Sequence, residues 1–295
     1  MSEDKFQQAP DGEAWPSMED LKFLDSDGDP GAALGMFRLP HPIHDYDVPP
    51  THEIYGSDLL DRHEWRRSVY VIDFLCESDW KAKLIPLIDA EHAKVDFEEQ
   101  TKIVADKQMK EEEINERRDE IIGETVDFLG LFENSLHIDS HSHTLSIFLA
   151  RVMMRIGWEV SIFFKERYGA IRPVARDAIN IKPIIRTPAH PSYPSAHSTQ
   201  AHLAKYALHH VSDGHFPPTS KHAERLEQIA TRVAENREYA GVHFEADSAI
   251  GRLLATNIWE IAMEQYSISD LAKQASLEWD NPSLSSLTFT KRRDA

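Results

Sequence analysis

The chain has 295 residues, 41% of them hydrophobic, a formal net charge of −18 and a mean hydropathy of −0.47. The acid excess excludes a basic nucleic-acid binder, and the apolar fraction is enough for a sizeable core, which excludes wholesale disorder. No apolar run approaches the roughly 18 residues of a membrane span, and the start MSEDKFQQAP lacks the basic-then-apolar layout of a secretory leader, so the expected compartment is cytoplasmic.

Residues 1–60 carry about half of the net negative charge and are broken by Pro and Gly clusters, which predicts an acidic, irregular arm. Within it Asp25, Asp27 and Asp29 alternate like part of a calcium loop, but no Glu follows at the required distance and a solvated turn is expected. A helical domain is predicted over 61–280, followed by a tail at 281–295. From Asp61 to Glu133 apolar residues such as Val69, Val71, Ile72, Leu75, Ile103, Ile114, Ile121, Val126 and Leu129 recur between charged ones at helical spacing. The lone cysteine, Cys76, has no disulfide or CxxC partner and is expected in the core. KEEEINERRDEIIGE places acids three or four residues before bases, the mark of an exposed helix with a solvated face.

HIDSHSHTLSIFLARVMMRIGWEVSIFFKERYG then predicts a long buried helix, capped by Asp139 or Ser140, in which Arg151 and Arg155 argue against membrane insertion. His137, His141 and His143 have a spacing that can share a ligand face on a helix. With no HExxH and no identifiable carboxylate ligand, they read as structural or capping histidines rather than a metal site. GxSxG, GxxxxGK[ST] and GxGxxG are all missing, which disfavours a nucleophile-elbow hydrolase, an NTPase or a Rossmann enzyme.

Three segments in the second half concentrate anion-binding and proton-transfer groups. KERYGAIRP contains Lys165, Arg172 and Pro173, HPSYPSAHS contains Ser195 and His197, and REYAGVHFEAD contains Arg237, His243 and Asp247. Each alone has an ordinary explanation: surface bases, a proline-rich turn, an exposed His and Asp pair one turn apart. Together, the order K-x6-R-P, P-S-A-H, R-x5-H-x3-D resembles the superfamily of type 2 phosphatidic acid phosphatases, bacterial non-specific acid phosphatases and vanadium haloperoxidases over about residues 140 to 262. The resemblance implies an all-α helical bundle of the acid phosphatase/vanadium haloperoxidase type, presenting the motifs at one end on helix termini and the loops between them. It also implies His243 as nucleophile, His197 as general acid, and Lys165, Arg172, Ser195, Ala196 and Arg237 as the binding set for phosphate or vanadate.

The residue chemistry suits those roles. Two guanidiniums and an ammonium can hold the non-bridging oxygens of an oxyanion, and a neutral and a protonated imidazole can divide attack and proton donation. A helix starting near Gly241 would let Asp247 accept from the His243 ring one turn away, and Ser195 would cap the helix after it, where free amides favour an anion. Ala196 stands where the family has glycine; if its φ were positive the strain would cost about 1 kcal/mol or more.

Three functions follow. The leading one is a metal-independent phosphatase acting on a small phosphate ester or diphosphate ester, with no cofactor. GVHFEAD is nearer the bacterial phosphatase style, and the chain is shorter than well-known haloperoxidases. The second is a vanadium-dependent haloperoxidase with vanadate on His243, to which His190 adds weight because a histidine at that place in the resembled bromoperoxidases is linked to halide oxidation. The third is a phosphate-binding protein without turnover. Phe163, Phe164, Tyr168, Tyr193 and Phe244 flank the motifs and read as core before an apolar entrance. The expected ligand is a phosphate ester or inorganic phosphate, with no nucleic acid or membrane span, and a homodimer is the assembly that the soluble relatives suggest.

Overall fold

The computed structural model describes residues 56–216 and 221–280, and among these there are helices and connecting segments but no strand. In chain order the helices are α1 (Gly56–Glu77), α2 (Trp80–His92), α3 (Phe97–Gln108), α4 (Glu111–Gly123), α5 (Leu129–Leu136), α6 (Thr144–Tyr168), α7 (Pro173–Arg176), α8 (Ala196–Ser212), α9 (His222–Tyr239), α10 (Glu245–Glu264) and α11 (Tyr266–Asp280). The architecture is all-α. The predicted acidic arm as far as residue 55, including Asp25, Asp27 and Asp29, and the predicted tail lie outside the described residues, whereas residues 56–60 belong to α1.

The bundle is organised around α8, which packs against α6, α9, α10 and α11. Leu149, Val152, Met153, Ile156 and Val160 of α6 join Ala201, Leu203, Ala204 and Leu208 of α8 in one buried cluster, where each large apolar side chain contributes roughly 1.5–3 kcal/mol by leaving water. Two glycines allow the helices to close. A Cβ at Gly157 of α6 would stand 2.6 Å from Leu203 Cδ1, and one at Gly251 of α10 would stand 2.7 Å from the Ser195 carbonyl oxygen. Positive φ at Gly169 and Gly241 ends α6 and α9 in the left-handed conformation that costs glycine least.

α3, α4 and α5 lie on α9. Their docking is polar as well as apolar: Lys107 pairs with Glu238, Gln108 Nε2 donates to the Tyr239 carbonyl, and Arg117 donates to Asn236 and Glu235. The segment predicted as a solvated helix therefore forms α4 with one face bound to α9, where Ile114 and Ile121 are buried.

Several local expectations need correction. Cys76 is exposed, and so are Ile72 and Val126, the latter at 90%, because their positions on α1 and after α4 face away from the neighbouring helices. Asp139 caps a turn, accepting from the His141 and Ser142 amides, and α6 starts only at Thr144 with His143 as its N-cap residue. His137 closes α5 with φ 56, so the three histidines occupy a bend rather than one helical face. No metal-binding group of His, Cys, Asp and Glu occurs among the described residues. No described helix is long and apolar enough to cross a membrane.

Candidate active site

Four helix termini meet at one end of the bundle. Lys165 lies in the last turn of α6, Arg172 just beyond it, and Arg237 in the last turn of α9; Ser195 and Asp247 stand at the starts of α8 and α10. The α8 and α10 N-termini bring free amides and the positive ends of their dipoles, while the C-terminal turns of α6 and α9 supply side-chain cations. The Ser195 amide donates to the Asp247 carbonyl oxygen (2.9 Å), tying the two starts together.

α10 begins at Glu245, four residues later than the sequence suggested, so His243 belongs to the connecting turn and not to the helix. The His and Asp pair forms nevertheless, because Asp247 sits at the third helical position and folds back. Its Oδ2 accepts from the Phe244 amide (3.0 Å) and from His243 Nδ1 (2.9 Å). Arg172 Nη1 approaches the other ring nitrogen, His243 Nε2, at 3.3 Å. A guanidinium only donates, so Nδ1 carries the proton and Nε2 presents its lone pair. Burial, then Lys165 and Arg172, push the His243 pKa well below the ordinary value, which keeps the ring neutral.

Arg172 is held by carbonyl oxygens: Nε donates to His190 (3.0 Å), Nη1 to Val242 (2.6 Å) and Nη2 to Pro191 (3.3 Å). His190 Nδ1 is 3.2 Å from Nη2, which places the candidate halide-related residue on the same guanidinium. Lys165 Nζ donates to the Pro191 and Ser192 carbonyls at 2.8 and 2.7 Å. Burial lowers the Lys165 pKa and raises that of Asp247.

Arg237 differs from the other two cations. It is 1% exposed, its Nη2 donates to Glu124 Oε2 (2.5 Å) and to the Ile121 carbonyl (2.9 Å), and its Nε and Nη1 have no hydrogen-bond partner. Glu124, also buried, is a residue that the sequence did not single out. It follows α4, accepts from Asn236 Nδ2 (2.7 Å), and burial pushes its pKa up to about 6 against the pull of Arg237. Its only sequence signal is a carboxylate just past a helix of helical periodicity, which is too common to select it.

His197 sits in the first turn of α8 with Nε2 3.3 Å from the Glu124 carbonyl oxygen. Burial, then the Arg237 charge, push its pKa down to about 3. Both site histidines are thus neutral at neutral pH, contrary to the opposite protonation states expected of them. Two buried imidazoles among three cations cannot readily take a further positive charge until an anion enters.

Ser195 is the N-cap of α8, its hydroxyl accepting from the Ser198 amide (3.3 Å). Ala196 is the first residue of α8 and has no positive φ, so the strain foreseen for the glycine replacement is absent. Its methyl group is buried instead. Of the flanking aromatic residues, Phe164, Tyr193 and Phe244 are core and Phe163 and Tyr168 are half-buried around them.

No family model and no curated protein matches the chain.

Proposed function

We propose that the chain is a phosphoric ester hydrolase of the type 2 phosphatidic acid phosphatase and vanadium haloperoxidase superfamily, acting through a phosphohistidine on His243 without a metal. The observation that carries this reading is Arg237, a buried guanidinium with two unpartnered nitrogens beside two neutral histidines. Buried donors of a charged group call for an acceptor, and a tetrahedral oxyanion supplies several.

A phosphoryl group there would meet Arg237 Nε and Nη1, the third N–H of Lys165 and the first-turn amides of α8, while Arg172 would add its charge and release His243 Nε2 for attack. His243 Nε2 attacks phosphorus while the ester P–O bond breaks, and the leaving oxygen takes its electron pair and then a proton from His197. Asp247 holds the Nδ1 proton and stabilises the charge on the phosphorylated ring. Water next attacks phosphorus with His197 as base, the P–N bond breaks, and phosphate leaves with His243 restored. The negative charge of the incoming ester raises the His197 pKa, so the proton required for the first step is taken up with substrate.

Hydrolysis of 4-nitrophenyl phosphate by the full chain is expected, with loss of at least a thousandfold in kcat on His243→Ala. Phosphate release that survives this substitution would sink the assignment.

His190 on Arg172 favours a second reading, the vanadium-dependent haloperoxidase. The donor set of Lys165, Arg172, Arg237 and His243 Nε2 fits vanadate as it fits phosphate, and vanadate when bound supplies peroxide activation. Bromination of a phenolic dye with added vanadate and peroxide, unaccompanied by phosphate release, would decide for it. Phosphate binding with neither reaction would identify a binding protein.

A further inference from the structure

Beside the candidate site, α6 and α8 frame a cavity of about 230 Å³ that none of the three motifs contributes to. Its lining is Arg67 of α1, Arg151, Met154, Arg155 and Trp158 of α6, and Gln200 of α8. A ring contact and a helical spacing connect it to the site. The Trp158 ring meets the His190 ring edge-on with centroids 5.7 Å apart, and His190 is in turn against Arg172. Gln200 stands three residues after His197 on α8, close enough for neighbouring side chains on that helix.

The three guanidiniums converge from two helices. Arg155 pairs with Glu159 one turn on (2.7 Å), and the Arg151 charge pulls down the Glu133 pKa that burial raises. Arg151 and Arg155 both depress the Arg67 pKa, which burial lowers first, so the cluster carries mutual repulsion that an anion would relieve.

We propose that this cavity is an outer anion subsite, and that the preferred ester carries a second phosphate-like group on its leaving-group side. This rests on the phosphatase reading, in which His197 protonates the leaving oxygen and so sets the side on which the leaving group lies. Arg155 and Arg151 stand ten and fourteen residues of α6 before Lys165, about 15 and 21 Å along the axis, with Trp158 and Met154 between. That separation is too long for the adjacent phosphates of a diphosphate and suits a bisphosphate with a spacer of about ten carbons, with Trp158 and Met154 covering the spacer.

The test compares 1,10-decanediol bisphosphate with 1,10-decanediol monophosphate on the full chain, using wild type, Arg151→Gln, Arg155→Gln and the double variant. The bisphosphate is expected to have a kcat/KM at least tenfold higher on wild type. Each single variant should lose about threefold to tenfold of that preference and the double variant nearly all of it, with monophosphate turnover unchanged, as the loss of charged hydrogen bonds predicts. Calorimetric binding of both compounds, with melting curves to show the variants folded, keeps the two proposals separate. A chain without turnover that binds the bisphosphate more tightly through Arg151 and Arg155 would sink the phosphatase and retain the subsite. Equal handling of the two compounds, or a preference untouched by both substitutions, would overturn the subsite and leave the phosphatase standing.

Discussion

Glu124 holds Arg237 in the interior and occupies one of its three nitrogens, leaving the other two for a ligand. Breaking a buried ion pair on one side leaves the other charge uncompensated, a loss of about 3–5 kcal/mol. Glu124→Ala is therefore expected to lower the melting temperature substantially, and millimolar phosphate should raise it by more in the variant than in wild type, because the anion can take over the carboxylate's role. Equal phosphate shifts in the two proteins would show that Arg237 does not face the anion site. Asp247 acts by a different physics. Its backbone bond to the Phe244 amide and its bond to His243 Nδ1 use the same oxygen, so the start of α10 and the imidazole tautomer are fixed by one atom.

At the level of elements, the site depends on how closely α8 and α10 approach. Gly251 is the contact point: besides its clash with the Ser195 carbonyl, a Cβ there would stand 2.7 Å from Ser198 Cβ. The neighbouring bonds, Ser195 amide to Asp247 carbonyl and Ser198 hydroxyl to Ser248 carbonyl (2.7 Å), would have to lengthen. Gly251→Ala is expected to destabilise the fold by about 1–3 kcal/mol, the usual cost of overpacking, and to lower kcat on 4-nitrophenyl phosphate by at least tenfold although the residue touches no reacting group. A variant with normal activity and an unchanged melting temperature would refute the close approach.

For the whole molecule, acid should be destabilising. The folded pKa of His197 is about 3 and that of His202, whose Nδ1 donates to the Ser198 carbonyl, about 4; His243 is lowered too. The unfolded chain takes up these protons below about pH 6.5 and the folded chain does not, so stability falls as pH falls, by up to about 1.4 kcal/mol per pH unit for each histidine. Glu124, at about 6 in the folded chain, and Asp247, also raised, act the other way, since the folded state binds their protons first. His92, His143, His190, His210 and His222 are lowered as well, and Glu133, Glu238 and Glu278 raised, so among the described residues eight histidines outweigh five carboxylates, and melting temperatures measured from pH 6.5 down to pH 4 should decline. A flat or rising series would contradict the buried neutral histidines.

The helical class, the long α6, the cap at Ser195 and the spacing of the basic and imidazole groups were legible in the chain, since periodicity, capping and short motifs depend on residues within about one helical turn to two of each other. The same locality explains why His243 and Asp247 could be paired while the start of α10 was misplaced: side-chain spacing is local, but a helix starts where its first amides find an acceptor, here Asp247 itself. Glu124 reaches Arg237 across a sequence separation of 113, Cys76 and Val126 face outward, and the Arg151 and Arg155 pair lines a cavity beside His190; each of these depends on which helix faces meet. The net charge of −18 belongs to the sequence alone, whereas the local positive field at the motifs comes from tertiary packing, because burial removes solvent screening and brings Lys165, Arg172 and Arg237 together with the starts of α8 and α10.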